Sequence, residues 1–191
     1  SVPEGFDFAA FFAGKKKLPN AFNAATKLGV PASEIAQYVD SVTICLSKGL
    51  CAPVGSVVCG SAEFIHAAHR ARKLVGGGMR QAGILAAAGI VAIEEMSQRL
   101  QEDHDNAEQL AASLAQINGI QVEPVHTNMV FFSLTDDVQL SAGEIAQQLR
   151  EQYNVWIGAR SARAFRAVTH YWVDQDAIAL LVAGLKNILA R

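Results

Sequence analysis

Lys48 is the residue whose position most clearly indicates covalent chemistry. It follows a short apolar and β-branched run, Val42–Leu46, and directly precedes Gly49. Such a run predicts a buried strand, and Pro53 and Gly55 predict a tight connection after it. A lysine at the end of a buried strand loses solvation, which favours the neutral, nucleophilic amine. That amine can form a Schiff base with a carbonyl, whereas the alternative is an ordinary solvated surface lysine.

Two cationic residues flank a run of three glycines later in the chain. Lys73 and Arg80 lie on either side of Gly76–Gly78, shortly before a predicted apolar helix. Glycines ahead of a helix expose backbone N–H groups, and added positive charge favours binding of an anion. A plain helix break is the alternative, since many breaks contain glycine. The segment is therefore a candidate anion site.

Arg166 is the third candidate, in a stretch that predicts a strand. A half-buried arginine should be paired, and its planar guanidinium suits a carboxylate bidentately. The alternative is a salt bridge inside the same domain. Arg160 and Arg163 lie close by in sequence, so the sequence leaves open which of the three faces a ligand.

The histidines indicate no metal centre. His66 and His69 stand three residues apart on one predicted helix, but the segment supplies no third ligand, so no metal is expected. His104 is predicted to lie on a solvated helix face. His126 and His170 flank strands, and His170 is either near the Arg166 site or hydrogen-bonded in the core.

Hydrophobic periodicity predicts a mixed helix and strand chain. Two short helices are expected within 22–39, the second capped by Ser33, and a further helix follows the N-cap Ser61. A long helix is expected from Met79 to about Gln116, with a buried first half. The pattern of the C-terminal part predicts a three- or four-stranded sheet with helices on one face. The expected strands are 120–124, 128–134, 155–158 and 164–169, and the expected helices are 141–152 and 174–189. Ser141 and Glu144 fit a capping box at the start of the helix 141–152.

Composition narrows the class of protein. The chain has 191 residues, 51% hydrophobic and 18% charged, with a formal net charge of −2. This balance argues against nucleic acid as a partner, which demands a basic face. No apolar run is long enough to span a membrane. Three cysteines fit neither a zinc ribbon nor a disulfide framework, so we expect buried, reduced thiols in a cytoplasmic protein.

Several motifs in order resemble the low-specificity L-threonine aldolases, which are pyridoxal-phosphate enzymes of the aspartate-aminotransferase fold. The matching segments are Ser47–Leu50 with Ala52–Ser56, Arg72–Gly89, Leu100–Ala107, Thr127–Phe131 and Arg166–His170. The likeness runs from about Phe22 to the C-terminus. It implies an α/β chain that forms the C-terminal portion of a fold-type-I enzyme. Residues 22–97 would be the end of the large cofactor-binding domain and 98–191 a small α+β domain, after an unmatched stretch at 1–21.

The resemblance also implies roles for the candidate residues. Lys48 would hold pyridoxal 5'-phosphate, Arg80 would contact the cofactor, and Lys73 and Arg166 would bind the amino-acid substrate, Arg166 through its α-carboxylate. The reaction would convert L-threonine or L-allo-threonine into glycine and acetaldehyde in a cytoplasmic homo-oligomer, a tetramer in the family. A related β-eliminating lyase would use the same lysine and arginine.

The chain departs from the family pattern at two places. A His-x-Asp-Gly-Ala-Arg segment is expected at 15–20, where Lys17 stands in place of the aspartate and Asn20 in place of the arginine. Cys51 replaces a glycine that is usual after Lys-Gly-Leu. We therefore expect a truncated copy without a complete site of its own. The alternative function is a non-catalytic interaction or oligomerisation module.

Overall fold

The computed structural model describes residues 17–19, by their backbone, and residues 21–190. The chain divides into two compact units between Gln98 and Arg99. The expected division into the end of one domain at 22–97 and a small domain at 98–191 remains a prediction.

The first unit holds a three-stranded sheet in the order β1-β2-β3. The first two strands are parallel, the second pair is antiparallel, and Cys45 lies opposite Ser56. Its elements are β1 Lys17–Pro19, α1 Ala21–Leu28, α2 Ala32–Ala36, β2 Ser41–Cys45, β3 Ser56–Gly60, α3 Ala62–Leu74 and α4 Gly83–Glu94.

Of the two helix caps predicted in this unit, one is observed and one is not. Ser61 caps α3 as predicted, because its hydroxyl accepts a hydrogen bond from the Phe64 N–H at 3.2 Å. The prediction that Ser33 caps α2 was wrong. Pro31 takes that place, with the φ of −58° that its ring dictates, and Ser33 lies inside the helix.

The long helix predicted from Met79 is broken, and its first half is not buried. A 3-10 turn at Met96–Arg99 separates α4 from the helix that begins at Leu100. The Ser97 hydroxyl donates to the Ile93 carbonyl at 2.6 Å and competes with the regular helix bonds. Ile84 is 84% exposed and Ile90 55% exposed. Because α4 is apolar all round, its sequence specifies no single buried face.

The second unit packs three helices against an antiparallel sheet in the order β4-β5-β6. Its elements are α5 Leu100–Leu114, β4 Ile120–Val122, β5 Met129–Leu134, α6 Ala142–Tyr153, β6 Ala164–Val168 and α7 Gln175–Leu189. Alternate residues of β5, Val130, Phe132 and Leu134, are buried in a core shared with all three helices.

The capping box of the second unit was predicted correctly, whereas one strand was not. Ser141 and Glu144 form the expected capping box, and the Asp174 carboxylate caps α7 by accepting from the Ala177 N–H at 2.9 Å. Within the described second unit, the predicted strand 155–158 pairs with nothing. An isolated bridge between Ala159 and Phe165 marks where such pairing begins.

The predicted exposure of His104 and the predicted burial of the cysteines were both wrong. His104 was expected on a solvated face, but it is 1% exposed, because it lies on the α5 stripe that also buries Leu100 and Ala107. The cysteines were expected to be buried, yet Cys45 is half-buried, and Cys51 and Cys59 are exposed. Among the described residues, no helix has the length and hydropathy needed to cross a membrane.

Candidate active site

The loop after β2 presents Lys48 to solvent. Leu46 and Leu50 point inward and are buried, while Lys48 between them is exposed. Backbone bonds fix the loop: the Cys51 N–H donates to the Lys48 carbonyl and the Ala52 N–H to the Leu46 carbonyl, both at 2.9 Å. The expected loss of solvation at Lys48 is therefore not observed. The amine is accessible instead, on a turn held by two buried leucines.

Helix α4 supports this loop from one side. A Cβ added at Gly89 would lie 3.1 Å from Leu46 Cδ1, closer than most such contacts. The small residue thus lets α4 approach the leucine at the start of the lysine turn. This explains why Gly89 and Ala92 are buried on a helix that is otherwise largely exposed.

Cys45 has a thiol with a lowered pKa, a feature that the sequence analysis did not identify. Its Sγ lies 3.7 Å from the Ser47 Oγ, and this hydrogen bond lowers the pKa of the Cys45 thiol. Burial opposes that effect, and the positive charge of Lys48 adds to it. The Cys-x-Ser-Lys spacing at the strand end is the signal that could have indicated it.

Lys73 and Arg80 lie on either side of a glycine-lined turn. Gly76–Gly78 end α3 and do not begin α4, which starts at Gly83, so the expected anion site at a helix N-terminus is not formed by these glycines. Gly76 has a φ of +77°. A Cβ on Gly78 would lie 3.2 Å from Lys73 Cδ and 3.6 Å from its Nζ. The lysine side chain therefore lies along the glycine backbone, while Arg80 is exposed in the following bend.

Arg166 is exposed on β6, opposite Phe131 of β5. Arg163 is excluded as the ligand-facing residue, because its guanidinium donates to the Thr135 and Val138 carbonyls. Arg160 lies 5.2 Å from the Phe131 ring centroid. Across residues 17–19 and 21–190, no ion pair joins Arg166 to another residue, so a salt bridge within the domain does not explain it.

The candidates are thus divided between the units. Lys48, Lys73 and Arg80 are exposed in the first, and Arg166 is exposed in the second. Of the described histidines, His66 and His69 are exposed, and no group of three or more His, Cys, Asp or Glu side chains in the described chain could hold a metal ion. His170 accepts a hydrogen bond from the Trp172 N–H at 3.3 Å.

Solved structures share this fold. A Listeria monocytogenes protein to which L-allo-threonine aldolase activity has been ascribed aligns with a TM-score of 0.75 at 18% identity, over 94% of this chain and 54% of its own. Alanine–glyoxylate aminotransferase from Nostoc sp. aligns with a TM-score of 0.63 at 18% identity, over 95% of this chain and 55% of its own. The fold is that of fold-type-I pyridoxal-phosphate enzymes, and the chain covers part of it.

Sequence comparison identifies the family. The family model of beta-eliminating lyases matches residues 20–137, and the chain therefore belongs to that family. Low-specificity L-threonine aldolase 1 of Arabidopsis thaliana is 46% identical over 154 residues, 80% of this chain and 43% of the relative. The low specificity L-threonine aldolase of Escherichia coli K12 is 45% identical over 170 residues, 89% of this chain and 49% of the relative. These matches confirm the resemblance found in the motifs. The chain spans about half the length of these curated relatives.

Proposed function

We propose that this chain serves a pyridoxal-phosphate-dependent aldehyde-lyase that cleaves L-threonine and L-allo-threonine to glycine and acetaldehyde. The observation that carries the proposal is the exposed Lys48 on a turn held by backbone bonds, inside the segment that matches the lyase family. Relatives 45 and 46% identical bear the name of this activity. A primary amine on a rigid turn is the group that a carbonyl cofactor requires.

The cationic residues of the first unit suit an anionic aldehyde cofactor. Lys48 would hold its aldehyde carbon, and the exposed Arg80 would bind its phosphate. Pyridoxal phosphate, when bound, supplies an electron sink for the bond that breaks next to the amino group. Lys73, lying along Gly78 with its Nζ near the backbone, would bind the anionic end of the substrate.

Arg166 would orient the amino acid through its α-carboxylate. Its planar fork suits two parallel hydrogen bonds to a carboxylate, and its exposed position on β6 leaves the guanidinium available. Arg166→Lys should therefore raise the KM for L-threonine more than it lowers kcat, because a lysine loses the bidentate geometry. Arg160→Lys, which changes an arginine over the Phe131 ring, is the matched control and should leave KM near its original value.

Threonine cleavage is tested directly with the purified 191-residue chain and added pyridoxal phosphate. The sequence led to the expectation that this chain alone lacks a complete site, and measurable cleavage would refute that expectation. The proposed activity predicts glycine and acetaldehyde in equal amounts from the unaltered chain, none from Lys48→Ala, and unchanged product from Lys186→Ala, a surface lysine of α7. Release of ammonia and a keto acid in place of glycine would favour the related β-eliminating reaction. Equal product from Lys48→Ala, or none from the unaltered chain, would contradict the proposal.

A second candidate function, self-association, rests on α4. From Gly83 to Ile93 the helix carries no charged residue, and its isoleucines at 84 and 90 are exposed. Apolar faces of this kind are seldom left bare in solution. We propose that a second copy of the chain covers α4 in a homo-oligomer, and that the protein is cytoplasmic, where its three thiols would remain reduced.

A further inference from the structure

Strand β6 has an open edge. Its inner edge pairs with β5, Val130 lies opposite Ala167, and the Thr169 N–H donates to the Asn128 carbonyl at 3.0 Å. Because backbone groups of successive strand residues point to opposite edges, the N–H and C=O groups of Arg166 and Val168 face away from β5. In the described sheet these groups belong to the outermost strand. Such an edge is a template for one more strand.

The chain that precedes β6 is aligned to fill this edge. Ala159 forms an antiparallel bridge with Phe165, and the Arg160 N–H donates to the Ala164 carbonyl at 2.7 Å. Continued along the antiparallel register, this pairing places Gly158 opposite Arg166 and Trp156 opposite Val168. A cavity of about 420 Å³ is lined by the same two segments, 154–158 and 166–169, together with residues of α5 and α7. The hairpin is thus closed at its turn and open beyond it.

Side-chain burial agrees with this register. Val155 and Ile157 already pack against the core, as Ala167 does, and Thr169 is buried. Trp156 is 69% exposed and Arg166 is exposed. The inward and outward residues of the two segments therefore match pair by pair, as they must on the two faces of one sheet.

In the structure Trp156 contacts an arginine of α6, and this contact would have to be given up for residues 155–158 to pair with β6. The Arg150 guanidinium carbon, in the last turn of α6, lies 3.6 Å from the centroid of the Trp156 ring. Helix α6 ends on Asn154 in the left-handed region, with a φ of +53°, which directs the chain into the segment 155–158. The structure places the indole on Arg150, and a position beside β6 would compete with this contact.

We infer that residues 155–158 are a hinged fourth strand, which closes onto β6 and brings Trp156 next to Arg166 as an apolar wall. In the closed register the two side chains are diagonal neighbours on one sheet face, within reach of an aromatic ring. The wall favours a substrate with a compact apolar group near its carboxylate, such as the methyl of threonine. This consequence for the substrate rests on the proposed role of Arg166; the strand pairing does not.

Amide hydrogen exchange of the unaltered chain, without cofactor or substrate, tests the pairing. We expect the amides of Trp156, Gly158, Arg166 and Val168 to exchange at least about tenfold more slowly than that of Ile157, which points away from the partner strand. The Val155 amide is no reference, because it already donates to the Leu149 carbonyl at 3.1 Å. Gly158→Pro removes the N–H that would donate to the Arg166 carbonyl and should weaken the pairing as a whole, so that protection of the Arg166 N–H, whose acceptor would be the Gly158 carbonyl, falls as well. Gly158→Ala keeps both backbone groups and should keep the protection. Slow exchange of the Phe132 amide, in the centre of the sheet, shows that the remaining strands stay folded. Rapid exchange at all four amides in a folded chain would overturn the inference.

The position of Trp156 is tested separately by substitution. Trp156→Ala should raise the KM for L-threonine about tenfold, a factor in the range expected for losing one apolar contact, with a smaller change in kcat. Trp172→Ala removes another exposed indole, one that lies outside the segment, and should change KM little. Equal KM values for the two variants would exclude Trp156 as a wall. Loss of all threonine cleavage with protected amides would instead contradict the proposed function and leave the strand pairing intact.

Discussion

At the scale of single residues, the lysine turn carries a strained backbone position. Cys51 has a φ of +58°, in the left-handed region that glycine adopts without cost. The sequence resemblance had marked this residue as a replacement for a usual glycine, and the backbone now supplies the reason. The turn geometry is retained because hydrogen bonds from the amides of Cys51 and Ala52 hold it.

We predict that Cys51→Gly stabilises the first unit. Relief of the left-handed conformation, less the added flexibility of glycine in the unfolded chain, should raise the free energy of unfolding by about 1 kcal/mol. Cys51→Ala removes the thiol and keeps the conformational cost, so it should give no such gain. Urea unfolding of both variants measures the difference. An equal gain from Cys51→Ala would assign the effect to the thiol instead.

A buried ion pair gives the second unit a residue-level pH dependence. The Asp103 side chain is fully buried, and its Oδ1 lies 2.9 Å from Nη2 of Arg99, which also contacts Glu102 at 3.2 Å. Burial raises the pKa of Asp103 above its ordinary 3.8, while the charges of Arg99, His170 and His104 oppose the rise. The folded unit therefore binds a proton at Asp103 more tightly than the unfolded chain does.

The sign of this effect can be measured. A raised carboxyl pKa contributes stability that is fully present below pH 3.8 and is lost as pH rises through the folded-state value. The difference in free energy of unfolding between the unaltered chain and Asp103→Asn should therefore decrease as the pH is raised from 3.8 to neutrality. Urea unfolding at several pH values tests this. A difference that grows with pH would mean that the Arg99 charge, not burial, dominates at Asp103.

At the scale of elements, close helix packing depends on small residues. A Cβ on Gly184 of α7 would lie 2.7 Å from Leu149 Cδ2 and 3.2 Å from Tyr153 Cγ, so α6 and α7 approach each other at this glycine. Gly143, in the first turn of α6, has only the Ser141 Oγ at 3.9 Å. The two positions differ in packing but not in residue type.

The two glycines should respond oppositely to alanine. Gly184→Ala overpacks the interface of α6 and α7 and should lower the free energy of unfolding by about 1–3 kcal/mol. Gly143→Ala enters open space and should raise it by roughly 0.5–1 kcal/mol through helix propensity. Thermal unfolding of each variant provides the measurement. A loss at Gly143 as large as that at Gly184 would show that packing does not distinguish them.

The sequence predicted elements well where a local signal exists. The caps at Ser61 and Ser141 are set by side chains next to the helix, and the alternation in β5 fixes which face is buried. Burial of α4 and solvation of His104 were predicted wrongly. An all-apolar helix has no preferred face, and a histidine in an apolar stripe is buried by its neighbours and not by its own polarity.

At the scale of the whole molecule, the exposed helix α4 predicts self-association. Ile84→Lys together with Ile90→Lys places two charges on this face and should convert an oligomer into a monomer, because a charge cannot be buried without a partner. Leu180→Lys, at an exposed leucine of α7, is the control and should leave the mass unchanged. Light scattering coupled to size-exclusion chromatography measures the molar mass of each variant. A monomeric unaltered chain would contradict the proposed homo-oligomer.

The candidate site could be located from the sequence, but its environment could not. The motif around Lys48 identified the lysine turn. The exposure of the amine depends on the backbone conformation of the turn, and the structural role of Arg163 depends on carbonyl groups 25 and 28 residues away in sequence. Arg166 could be separated from Arg160 and Arg163 only once their partners were known.

The most direct test of this account is to map where pyridoxal phosphate attaches. The purified chain is incubated with the cofactor, reduced with borohydride, digested and analysed by mass spectrometry. We predict one dominant adduct, on Lys48, which is lost in Lys48→Ala and unchanged in Lys186→Ala. Adducts scattered over surface lysines, or an unaltered yield from Lys48→Ala, would contradict the assignment of Lys48 as the cofactor lysine.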